Sequence, residues 1–129
     1  MLILGHPRIP HEKLYHVNSI EAISHTPSNA ILLFDYNEEV FELLEHAREN
    51  ALSVAMQVAS LKDAIICENL DVTYLLVSQE LSSSVQKAAD TYLFDAKVLV
   101  KVQDDSSIEA LAIDGIDGIV CPEAIIKVS

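Results

Sequence analysis

The sequence predicts an α/β protein built on an open parallel sheet of about five strands, with helices on both faces in three layers. Apolar segments begin near residues 30, 52, 72, 97 and 116, and amphipathic stretches separate them. These segments show little polar alternation, which is typical of parallel strands buried on both faces. The last of these units, Ala96–Glu123, is the most complete.

Ala96–Glu123 is one strand–helix–strand unit with recognisable ends. Asp104 or Asp105 can cap its helix, because a short carboxylate accepts hydrogen bonds from the first free amides. Gly115 ends the helix, since glycine adopts the left-handed conformation without steric cost. Pro122 stops the second strand. The two strands should therefore be parallel, with a right-handed crossover.

The segments before this unit show the same alternation of strand and helix. Asn37 is placed to cap the first of these helices. The strands are predicted at Ala30–Tyr36, Ala51–Val58 and Val72–Val77, and the helices at Glu38–Glu49, Leu61–Leu70 and Gln79–Tyr92.

Both ends of the chain are less regular. Residues 1–28 are expected to be an irregular segment in which Leu2–Leu4 is a short strand and Lys13–Val17 an edge strand. Ser19 can cap a short helix that starts at Ile20. Glu123–Val128 is expected to be a short terminal segment. We therefore expect a single domain, 1–129, in which 29–128 forms the βα units and which has too few strands for an eight-stranded barrel.

Composition excludes several classes of function. Twenty acidic and eight basic residues give a net charge of −12, which disfavours nucleic acid and anionic membranes as partners. No apolar run approaches the roughly 20 residues that span a bilayer, so membrane insertion is not expected. The start of the chain lacks the pattern of a signal peptide. Cys67 and Cys121 lie among apolar residues, and the sequence therefore predicts an acidic cytoplasmic protein with buried reduced thiols.

Candidate binding residues follow the predicted strands. Ligands of open parallel sheets bind beyond the carboxyl ends of the strands. Asp35 ends an otherwise apolar strand, where its carboxylate could bind a metal, a ribose or a basic group, or could simply form a turn. No catalytic residue and no metal ligand is assigned. The ligand-binding candidates are Asp35, Asn37, Gln57, Ser78 and Gln103.

Histidines crowd the first 25 residues and suggest a metal site as an alternative. Imidazoles and carboxylates bind zinc and other transition metals. The spacing of these residues, however, fits neither a helix face nor a known ligand pattern. The residues concerned are His6, His11, Glu12, His16 and His25.

Ala96–Glu123 also resembles the last β-α-β unit of TrkA-type nucleotide-binding domains, the Rossmann-like RCK regulators of potassium channels and transporters. The resemblance extends over about residues 61–126 and implies a Rossmann-like or flavodoxin-like sheet. That family binds nucleotide through a glycine-rich turn after its first strand. At that place this chain has Asp35, Tyr36, Asn37, Glu38 and Glu39, so the resemblance implies a degenerate domain without a bound cofactor.

These observations favour a non-enzymatic regulatory or protein-interaction module that acts as a homodimer or with a protein partner. The high apolar fraction in a short chain supports this, since part of that surface can form an interface. One alternative is a small-molecule-binding protein or small enzyme with its site around Asp35. A second alternative is metal binding through the N-terminal histidines.

Overall fold

A computed structural model describes residues 1–129 and shows one sheet of eight parallel strands with five helices. The strands are β1 Leu2–Leu4, β2 Leu14–His16, β3 Ile31–Asp35, β4 Ser53–Gln57, β5 Tyr74–Val77, β6 Lys97–Lys101, β7 Gly118–Val120 and β8 Ile125–Lys127. The helices are α1 Ile20–Ile23, α2 Val40–Glu49, α3 Leu61–Glu68, α4 Gln79–Thr91 and α5 Ile108–Ile113. The strand order is β1-β7-β6-β5-β4-β3-β2-β8.

The predicted class, α/β with an open parallel sheet, is confirmed, but the sheet has eight strands where five were expected. The additional strands are β1, β2 and β8. The first two lie where Leu2–Leu4 and Lys13–Val17 were expected as strands, but β2 is not an edge strand because it pairs with both β3 and β8. The strands are only three to five residues long, and a single 3₁₀ turn, Pro122–Ala124, joins β7 to β8. Short elements explain how so many strands fit into this chain length.

All five helices pack against the same side of the sheet, which differs from the expected helices on both faces. From β2 to β7 the strands follow each other in chain order, so right-handed crossovers carry every helix to one side. The larger hydrophobic cluster joins the buried helix residues to the strand residues that face them, for example Leu44 and Val85 to Phe34 and Leu75.

On the second face of the sheet, the strand side chains pack against one another instead of against helices. A separate cluster of ten buried residues contains side chains from seven strands and no residue of the five helices. Leu14, Leu33, Leu76 and Leu99 in this cluster are fully buried, which requires the sheet to curl around them. No ladder joins the edge strands β1 and β8, but Gly5 lies against the turn that leads into β8. The inner face thus forms a second core.

Local signals set most helix ends, and the predicted caps Ser19 and Asp104 are confirmed. The prediction that Asn37 caps α2 was wrong, because the helix begins only at Val40 and its N-cap is Glu39. Ser19, Ser60 and Ser78 each accept a hydrogen bond from a first-turn amide of the helix that follows. Asp104 caps the 3₁₀ turn before α5 in the same way, and Gly115 follows that helix with a φ of +73°. No helix is both long and apolar enough to cross a membrane.

Gly118 in β7 gives a test of the packing between β1 and its neighbour. A Cβ at this position would clash with the Leu2 carbonyl oxygen and lie 2.7 Å from Cδ2 of Leu99. We expect Gly118→Ala to lower the free energy of unfolding by about 2 kcal/mol, measured by urea denaturation. Gly115→Ala is the control, since a Cβ there meets nothing within 4 Å and costs only about 1 kcal/mol of backbone strain. A smaller loss for Gly118→Ala than for Gly115→Ala would contradict this packing.

Candidate functional site at the carboxyl ends of the strands

Above the apolar inner core lies a layer of polar side chains. Successive residues of a strand alternate between faces, so the residue two positions after an inward leucine or alanine also points inward. In β2, β3, β4 and β6 the inward residues of the core are Leu14, Leu33, Ala55 and Leu99. The next inward residues, at the carboxyl ends of these strands, are His16, Asp35, Gln57 and Lys101, which we call the polar layer.

The four side chains of the polar layer form one hydrogen-bonded chain. His16 Nε2 lies 3.0 Å from Asp35 Oδ2. The Gln57 amide nitrogen Nε2 donates to Asp35 Oδ1 at 3.1 Å. Lys101 Nζ donates to Gln57 Oε1 at 2.8 Å, across the intervening strand β5. Residues from four strands are thereby joined at the opening of the curled sheet.

The chemistry of the end groups fixes the direction of every bond in this chain. An ammonium group can only donate, so the oxygen of Gln57 faces Lys101 and its NH₂ faces Asp35. An ionised carboxylate only accepts, so Nε2 of His16 carries a hydrogen and donates it to Asp35. Both oxygens of Asp35 therefore already accept a hydrogen bond.

His16 keeps its second ring nitrogen unpaired. Nδ1 has no hydrogen-bond partner in the protein, and 20% of the side chain is exposed. When the neutral ring holds its hydrogen on Nε2, Nδ1 carries a free lone pair that can accept a proton. A histidine oriented by a carboxylate in this way is suited to general acid–base chemistry.

A cavity of about 300 Å³ opens beside His16 and Asp35. It is lined by residues 16–18, Asp35 and residues 127–129. Lys127 of β8 is the register partner of His16 in the parallel ladder. Its side chain also points to the inner face, since Ile125 packs against the inner core. The cavity therefore combines an imidazole, a carboxylate and an ammonium group.

The structure brings together two of the five predicted site residues, Asp35 and Gln57. The other three lie at the carboxyl ends of the strands but outside the hydrogen-bonded chain. Asn37 accepts a bond from the Glu39 amide, and Ser78 caps α4. Gln103 lines a separate cavity of about 350 Å³ beside Gly5. Whether any of the five binds a ligand stays a prediction.

Sequence reasoning missed three residues of this region: His16, which contacts Asp35, Lys101, which contacts Gln57, and Lys127, which lines the cavity. His16 was considered only within a metal cluster, because its position at the end of an inner strand depends on pairing between β2 and β3. A usable signal was present in β6, where Lys101 ends an apolar strand in the same way as Asp35 ends β3. A charge after a buried strand is the feature that these residues share.

The N-terminal histidines do not converge. His6 Nε2 lies 3.2 Å from Asp105, His11 contacts the Ile9 carbonyl, and His25 contacts the Ser129 carbonyl. No three metal-ligating side chains come together. His6 also differs from His16 in that its Nδ1 accepts a hydrogen bond from the Arg8 amide, so both ring nitrogens are occupied. Of the two His–Asp pairs, only His16 presents a free nitrogen.

The two cysteines are buried and unpaired. Burial, with the nearby Asp63 carboxylate, raises the pKa of the Cys67 thiol from 9.0 to about 12. Burial also raises the pKa of Cys121, and the carboxylates of Glu123, Asp105 and Asp104 add to this shift. The thiolate is the reactive form of cysteine, so neither residue is suited to act as a nucleophile at neutral pH.

The raised pKa of Cys67 predicts a loss of stability in alkali. The folded state holds the proton more tightly than the unfolded state, so this contribution is complete below pH 9.0 and is lost as pH rises toward about 12. Cys67→Ala should therefore lose less stability than the wild type over this range, measured by urea denaturation at several pH values. Ile66→Ala, on the same helix, is the control that should keep the wild-type slope. Equal slopes for wild type and Cys67→Ala would show that the thiol does not titrate in this way.

Comparison with known proteins adds no relative. No protein-family model matches the chain, and no curated protein matches it. The resemblance to TrkA-type domains therefore stays a prediction from Ala96–Glu123.

Proposed function

We propose that this protein binds a small polar molecule at the carboxyl ends of its strands, and that His16 exchanges a proton with it. The observation that carries the proposal is the hydrogen-bonded chain from Lys101 through Gln57 and Asp35 to His16. It corresponds to the site around Asp35 that the sequence suggests as an alternative function. The adjoining cavity supplies the space for a ligand.

The position of the polar layer supports binding rather than a purely structural role. In sheets of parallel strands, ligands sit beyond the carboxyl ends, where side chains from several strands converge. Gln57 donates a hydrogen bond to Asp35, and Asp35 accepts another from His16. In this arrangement the carboxylate orients the imidazole, and the imidazole can transfer a proton. Gln57 donates to the Asp35 carboxylate, and Lys101 donates to Gln57. Neither residue lines the cavity, so we assign both a positioning role.

A screen of small polar molecules by two-dimensional amide NMR tests the proposal on the full chain. We expect at least one compound to bind with a dissociation constant below about 1 mM and to shift the amides of residues 16–18 and 127–129. His16→Gln should weaken that binding by about tenfold, since it removes the ring and its free nitrogen. His46→Gln on α2 is the matched control and should leave binding unchanged.

The same experiment separates binding from proton transfer. Ring ¹⁵N shifts report the protonation state of His16, and we expect them to change when the compound binds. Binding without such a change would contradict the proton-transfer part of the proposal. A screen in which every binder shifts other regions, or in which no compound binds, would contradict the site itself.

A second candidate function, protein association, rests on apolar side chains at the opposite edge of the sheet. Two of these residues, Tyr92 and Leu93, directly follow α4 and are 72% and 84% exposed. The third, Ile113, is the last residue of α5 and is 86% exposed. Both helices lead into neighbouring strands, so these residues lie at the amino-terminal edge. Leu93 also has a φ of +53°, a conformation that costs a leucine about 1–2 kcal/mol. This supports the predicted homodimer or partner contact.

Sedimentation velocity over a range of protein concentrations tests this association. The wild type is expected to form a dimer, and Leu93→Asn should weaken dimerisation by about tenfold because it removes exposed apolar area. Asparagine tolerates a positive φ, so the variant should fold. Phe41→Gln replaces an exposed aromatic side chain on α2 and should leave the dimer intact. A wild type that stays monomeric at all concentrations would rule out the dimer.

The two unpaired thiols, Cys67 and Cys121, support a cytoplasmic location for this protein, because reducing compartments preserve free cysteines. The location remains part of the proposal.

A further inference from the structure

We infer that the molecule bound beside His16 carries an anionic group, a carboxylate or a phosphate, and that Lys127 binds this group. The inference rests on the proposed binding function and adds the chemical class of the ligand. Three observations lead to it: the placement of Lys127, the hydrogen-bonding capacity left in the cavity lining, and the local charge.

Lys127 lies directly beside His16. The two residues are Cα partners in the parallel ladder between β2 and β8, and both line the same cavity. Nζ of Lys127 makes no hydrogen bond in the protein, and the only ion pairs within 4.0 Å are His6–Asp105 and His16–Asp35. The ammonium group can therefore turn its three hydrogens toward a bound molecule.

The cavity lining keeps one ammonium group with free donors. Lys127 retains all three of its hydrogens, while the two oxygens of Asp35 each already accept a hydrogen bond. A ligand with acceptor oxygens complements this ammonium group, and a donor on the same ligand can meet the free lone pair on Nδ1 of His16.

The local charge points the same way. The cavity lining contains one lysine, Lys127, and one acidic side chain, Asp35, and the Asp35 carboxylate already pairs with His16. The chain as a whole carries −12, so an anion gains nothing from the overall charge. Exposed charges beyond about 8–10 Å are largely screened at physiological salt, so the unpaired ammonium group of Lys127 is the local charge that favours an anion.

The size of the cavity restricts the anion. About 300 Å³ is at the lower limit of the range for small-molecule sites. A small organic acid or a simple phosphate ester fits that volume, while a dinucleotide does not. The ligand is therefore expected to be a compact acid with a further polar group near Nδ1 of His16.

Titration with two anions and one neutral probe tests the inference. Inorganic phosphate and malonate are added separately to the full chain, with glycerol as the uncharged probe, and amide NMR follows residues 16–18 and 127–129. We expect saturable shifts with at least one anion and none with glycerol. Lys127→Gln should weaken the binding of that anion by about tenfold. Lys87→Gln, an exposed lysine on α4, removes the same charge and should have no effect.

Each outcome decides the inference. The anion that binds more tightly identifies the group as phosphate or carboxylate, and equal binding supports their shared chemistry. Absence of saturable shifts with both anions, or equal affinity in wild type and Lys127→Gln, would overturn the inference. If small neutral molecules from the screen still bind beside His16 in that case, the proposed function stands and only the anionic class is wrong. The amide spectrum of Lys127→Gln also reports whether this variant is folded.

Discussion

Right-handed crossovers in a sheet whose strands follow chain order leave one face of the sheet without helices. That constraint governs this structure, because the uncovered face carries leucines that must leave water. The sheet buries these leucines by curling, so that they pack against one another; the fully buried ones are Leu14, Leu33, Leu76 and Leu99. Curling also directs the carboxyl ends of β2, β3, β4 and β6 toward a common opening. The hydrogen bond from Lys101 to Gln57, across β5, depends on that convergence.

The sequence allowed accurate prediction wherever the signal was local. The βα periodicity, the Ser19 cap and the end of α5 before Gly115 all depend on residues close together in the chain. The number of strands depended on distant pairings instead. β8 is stabilised by pairing with β2, more than 100 residues earlier, so the short segment Ile125–Lys127 alone gives no clear strand signal.

For the candidate site too, the residues with a local signal were predictable and those that depend on distant strand pairing were not. Asp35 and Gln57 follow conspicuous buried strands, and the general rule for parallel sheets placed them at one edge. His16 ends a three-residue strand in a region with two nearby prolines, and its relation to Asp35 appears only through the register of β2 with β3. Side-chain chemistry in the sequence could thus identify one half of the His–Asp pair but not the other.

Fold stability and the candidate site depend on different layers of the inner face. Each fully buried leucine of the inner core contributes about 1.5–3 kcal/mol through loss of apolar surface from water. The polar layer contributes much less, because Asp35 is 48% exposed and exposed ion pairs are typically worth about 0–1 kcal/mol. Substitutions at His16 or Asp35 should consequently leave the fold intact. Their effects on ligand binding can then be interpreted as properties of the site rather than as partial unfolding.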